Sequence, residues 1–99
     1  LILRVYGQAK VIHPRDDGWD QALATFPEVA GSRQIFDMTI DLVQTSCGTG
    51  VPNMEFVKSR AEEDLLPYYA DMGPEGVEKY WRRKNAKSID GKPTGIFED

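Results

Sequence analysis

Two stretches of this chain alternate in character residue by residue for longer than most strands last. In "LILRVYGQAKVI", Leu1, Leu3, Val5, Ala9 and Val11 share one side with Gly7 in step; Arg4, Gln8 and Lys10 take the other, joined by Ile2, Tyr6 and Ile12. From Arg33 the alternation returns: Gln34, Phe36, Met38, Ile40 and Leu42 face one way, and Arg33, Asp37, Thr39 and Asp41 the other. A period of two is the signature of a strand, and each run is about twice the usual five or six residues. Gly7, in the middle of the first run, predicts a bulge, a bend or a close backbone approach. A long strand needs neighbours for its backbone donors and acceptors, and two strands do not close a sheet or barrel. The expectation is one incomplete domain, with the amino-terminal half of a larger unit preceding Leu1.

The remaining segments read as connections and a helical arm. "HPRDD" breaks the first strand, because Pro14 cannot continue a ladder and Asp16 or Asp17 can cap a helix. Trp19, Ala22, Leu23 and Phe26 then fall at helical spacing, and the short helix they predict stops at Pro27. After Pro52 the charged stretch "EFVKSRAEEDLLPYYADMG" predicts one or two helices broken near Pro67. A further helix is expected from Pro74, placed where a first turn tolerates proline, with Val77, Tyr80, Trp81 and Lys84 at helical spacing. The fold class is therefore α+β: barrel strands with one crossing helix over residues 1–52, and a helical arm and tail over 53–99.

Charge and composition exclude several functions. Among 99 residues, 12 Lys and Arg against 16 Asp and Glu give a net charge of −4, and the pI is near 4.9. An acidic chain without a basic stripe is a poor binder of nucleic-acid phosphates. No apolar run is long enough to span a bilayer, and no basic-then-apolar leader opens the chain. One Cys cannot form an internal disulfide, and with one His it makes a poor metal set. A reducing cytoplasm fits this usage.

Chemistry-bearing residues gather in two turns and one helix. The second strand runs into "VQTSCGTGVP", where Thr45, Ser46, Gly48, Thr49 and Gly50 offer hydroxyls and approachable amides to a polar ligand edge or a phosphate. The same residues also make an ordinary tight turn. Cys47 would need a neighbouring base or cation to be a nucleophile; His13 lies in another loop, so a space-filling thiol is the plainer reading and a redox-sensing thiol a third. In "KYWRRKN", basic and aromatic residues interleave as in a base-stacking surface, but a solvated helix face with Tyr80 and Trp81 turned inward is the commoner outcome. Ser88, Asp90 and Gly91 form either a ligand turn or a plain Asp-Gly turn. Asp37 and Asp41 share a strand face too far apart for a carboxylate pair and are assigned to solvent.

Taken together and in order, "LRVYGQAKVIHPRD", "QIFDMTIDLVQTSCGTGVP" and "EKYWRRKNAKSIDGKPTG" resemble the carboxy-terminal half of pyridoxamine 5′-phosphate oxidase-like flavoproteins, in the branch carrying a "QTSCGxGVP" loop and a "SIDGxPTG" tail. The resemblance covers nearly the whole chain. It implies a split β-barrel that pairs into a homodimer, with FMN between the subunits and most of the cations gripping its phosphate in the other half of the domain. It places Thr45, Ser46 and Cys47 beside the flavin, Ser46 standing about where the oxidases have an aromatic residue.

Two departures bear on the substrate. Ile2 stands where the oxidases have a flavin-contacting glutamine, and "SIDGKPTG" replaces their arginine-containing substrate motif. A different small molecule is therefore expected as substrate, with hydride exchange at the flavin. The alternative from another class is a non-catalytic split-barrel module for dimerisation or ligand binding.

Overall fold

The computed structural model describes residues 1–97. Its elements run β1 (Ile2–Ile12), α1 (Trp19–Leu23), β2 (Ile35–Ser46), a π-helical turn (Ala61–Leu65) and α2 (Leu66–Asn85). The chain is α+β, and the two strands pair antiparallel in a two-stranded sheet.

Both long strands form, β2 beginning at Ile35 rather than Arg33 and running through Ser46 into the turn that follows, and Gly7 marks a bulge. Tyr6 pairs with Leu42 and Gly7 with Ile40, which leaves Asp41 without a partner on β1. Gly7 is required there by contact: a Cβ on it would lie 2.0 Å from the Thr39 carbonyl oxygen. Paired residues share a face of a sheet, so the bulge shifts the phase of β2. Ile40 lies with Gly7 on the face that carries Leu3, Val5, Ala9, Val11, Phe36 and Met38. Leu42 crosses to the face of Tyr6, and Val43, opposite Val5, takes its place. The expectation that Leu42 shares a face with Ile40 is corrected by this one extra residue.

Among the described residues both faces of the ribbon are largely exposed. Phe36 is 69% exposed and Leu3 61%. Among the described residues neither strand has a second neighbour, and the segment from Val51 to Val57 runs irregular and exposed.

The helices differ from their sequence expectations in placement. α1 ends at Leu23; Phe26, expected on its apolar face, is followed by Pro27 and is exposed. Its N-cap is Gly18, without a side-chain cap. Asp16 serves the preceding turn instead, its carboxylate accepting from the His13 amide at 2.8 Å. No helix forms directly after Pro52. Pro67 sits in the first turn of α2, where proline is tolerated, and the break falls at Gly73 (φ 66°, ψ 171°), with Pro74 opening the second half as expected.

Among the described residues only Trp19, Val77 and Ile96 are buried. All three line one cleft, walled in part by α1, the second half of α2 and the tail. The tail is held there by Arg15, which donates to the carbonyls of Ile96 (2.5 Å) and Gly95 (2.7 Å).

Candidate functional site

The turn after β2 is built by the ribbon. Ser46 pairs with Ile2 and Thr45 with Leu3, which sets the turn beside the start of β1. Gly48 adopts φ 70°, and a Cβ there would approach Ile2 Cγ1 at 3.1 Å, so glycine is favoured where the chain folds back. The Val51 amide closes the turn on the Gly48 carbonyl at 2.9 Å.

Thr45, Ser46 and Cys47 are adjacent in sequence but do not converge on one face. Thr45 lies on the apolar face with Leu3, and Ser46 on the opposite face with Ile2. Ser46, half-buried, accepts from Arg4 Nη1 at 3.1 Å. Arg4 is the functional candidate that sequence spacing misses, because it lies 42 residues from Ser46 and only the strand register brings the two together. Cys47 is exposed, its sulfur 3.6 Å from Thr49 Oγ1. The backbone amide of Thr49, and then its hydroxyl, hold the thiol pKa below the ordinary thiol value.

A Cys–His pair is excluded by the ribbon itself. Cys47 follows the end of β2 that pairs with Ile2, whereas His13 follows Ile12 at the other end. At ~3.3 Å of rise per residue the strand separates them by roughly 30 Å.

The other candidates are used internally. Tyr80 sits edge-on to Tyr68 and to Tyr69, each at 6.2 Å. Arg82 pairs with Glu78 at 3.1 Å and lies 4.3 Å over the Phe97 ring, and Arg83 lies over Tyr80. The basic residues of "KYWRRKN" are thus on a solvated helix face, with Tyr80 and Trp81 half-buried. In the tail turn, Ser88 donates to the Asp90 carboxylate and accepts from the Lys92 amide, which lowers the Asp90 pKa. Thr94 Oγ1 donates to the Asn85 carbonyl at 2.6 Å, capping the end of α2. "SIDGKPTG" therefore terminates a helix, with its polar atoms occupied. Asp37 stands opposite Lys10, 3.4 Å away and solvent-exposed.

Among the described residues, no three His, Cys, Asp or Glu side chains cluster to hold a metal ion, and no helix is long and apolar enough to cross a membrane. No protein-family model, curated protein or solved structure matches the chain.

Proposed function

We propose that this chain is the carboxy-terminal part of a dimeric, FMN-binding, split-barrel oxidoreductase-like protein of a reducing cytoplasm, acting on a small molecule other than pyridoxamine 5′-phosphate. The observation that carries the reading, beside the motif resemblance, is the ribbon. Two long strands, apolar on one face and open on both edges, end in a turn of hydroxyls, amides and a thiol with a guanidinium alongside.

These residues fit the edge of a flavin. Ser46 and the turn amides would suit the polar rim of the ring system, with Cys47 beside it, and Arg4 would add positive charge where a reduced, anionic flavin gains from it. Bound FMN would supply hydride exchange; the chain's own residues would orient the ring and shape the local field. Opposite placement of Thr45 and Ser46 means that one ring edge meets Ser46 or Thr45, with Cys47 at the tip.

The test is titration of FMN, read by its visible spectrum, against this chain and against the longer protein the proposal assigns it to. Saturable binding to the longer protein, with the isolated chain weak, is the expected result. Binding to neither overturns the flavin reading and leaves the non-catalytic split-barrel module.

A further inference from the structure

At the end of the ribbon away from Cys47 lies a cleft of about 700 Å³, walled by the β1–α1 turn, the loop from Glu28 to Arg33, α2 on both sides of its Gly73 break, and the tail at Ile96–Phe97. The volume lies within the ~300–1,000 Å³ usual for small-molecule sites. The cleft is built from several parts. The break at Gly73 (φ 66°) bends α2 around it, Arg15 pins the tail as its far wall, and Tyr69 closes the loop side. Gly31, at φ 86°, lets the backbone lie on the Tyr69 ring, whose atoms would be 2.8 Å from a Cβ there.

The lining is apolar and aromatic, with charged side chains of both signs among it. Trp19, Trp81 and Tyr69 face the cleft over a floor of Val77 and Ile96. Among the described residues, Arg15, Arg33 and Arg82 line it alongside Glu28 and Glu78. Arg82 is paired with Glu78 and Arg15 is bonded to the tail carbonyls. Arg33, half-buried, makes no ion pair among the described residues. A half-buried arginine lining the same cleft as two indoles and a phenol favours a planar, largely apolar ligand carrying one carboxylate, which its fork can hold in a bidentate pair.

We propose that this cleft is a binding site for a small aromatic carboxylic acid, seated against Trp19 and Trp81 with its carboxylate on Arg33. The site is separate from the turn at Thr45–Cys47 and does not rest on the flavin reading.

Trp19 and Trp81 are the chain's two tryptophans, and both line the cleft, so their indole N–H resonances report on it alone. In a titration of the 99-residue chain with 2-naphthoate, both resonances should shift together and saturate. The neutral 2-naphthylmethanol should bind about tenfold more weakly, and Arg33→Gln should lose about tenfold or more in affinity for 2-naphthoate alone. Arg33→Lys, which keeps the charge but not the fork, should fall between. The proposal is overturned if neither indole signal moves, if Arg33→Gln binds 2-naphthoate as the parent does, if the circular dichroism of the chain shows no helix and hence no cleft, or if self-association fills the cleft and excludes the acid.

Discussion

Replacing Gly7 with alanine tests the structural element on which the turn at Thr45–Cys47 depends. The added Cβ would lie 2.0 Å from the Thr39 carbonyl oxygen, 2.9 Å from its carbon and 3.1 Å from Ile40 Cα. All three are backbone atoms of the paired strand, so no rotamer change relieves the clash. To reach an ordinary separation of 3.4 Å from the carbonyl oxygen the strands must part by 1.4 Å at this point. Such a parting strains or breaks the hydrogen bonds around the bulge, at about 1 kcal/mol each. Overpacking against a fixed wall costs about 1–3 kcal/mol, and the lower chain entropy of alanine returns only about 0.5–1 kcal/mol. The expected net loss is about 2–3 kcal/mol, read as a lower urea midpoint by far-ultraviolet circular dichroism. Gly50→Ala is the control: nothing lies within 4 Å of its added Cβ, so its midpoint should hold or rise. A Gly7→Ala chain as stable as the parent would refute the bulged register, and with it the assignment of Thr45 and Ser46 to opposite faces.

The two titrating turns make separate predictions. Thr49→Val removes the hydroxyl near Cys47 but keeps the backbone amide, the larger cause of the lowered thiol pKa. The midpoint of the alkylation rate against pH should rise part of the way to the ordinary thiol value, slowing labelling at pH values below it; an unchanged profile would refute the hydroxyl's part. Ser88→Ala removes the hydrogen bond that contributes most to lowering the Asp90 pKa. Because the folded value lies below the unfolded one, the stabilisation from ionised Asp90 is complete above the ordinary carboxylate range and fades as pH falls through the folded value. The variant should titrate closer to that ordinary range by carboxyl NMR and should lack this acid-side loss; identical titrations would remove Ser88 as the cause.

The sequence carried the strands legibly because their period is local: each side chain's face is set by its neighbours two residues away. Gly7 showed that the ladder is interrupted, but not by how much. The residue that answers it, Asp41, lies on the other strand, and nothing in "TIDLVQ" marks it as unpaired. That single residue decides where Leu42, Val43, Thr45 and Ser46 point. The break expected near Pro67 is absent, because Pro67 opens α2; the break falls on Gly73, just ahead of the helix start expected at Pro74, and its positive φ is revealed only by the fold. Trp19 and Trp81 were legible as apolar positions on helices. Their convergence with Arg33 on one cleft was not, since it depends on how four separate segments meet.

The described molecule is finished at one end and open at the other, and the two proposals divide along that line. A compact chain of 11.2 kDa exposes about 5,700 Å², whereas this one exposes 8432 Å², an excess of about 2,700 Å² by the same relation. Its radius of gyration is 17.2 Å, against about 13 Å for a compact domain of this length. At the cleft end Trp19, Val77 and Ile96 are buried and the tail is anchored by Arg15. Much exposed apolar surface lies on the ribbon and the Val51–Val57 segment, where Leu3, Phe36, Phe56 and Val57 face solvent. Burying that surface at ~25 cal/mol per Å² is a strong drive to acquire neighbouring strands or a second subunit. A ligand at Thr45–Cys47 would thus be enclosed only when such a neighbour arrives, so the flavin binding we propose there would depend on assembly. The cleft has its walls already, and its affinity for an aromatic acid depends on Arg33 and two indoles within this one chain.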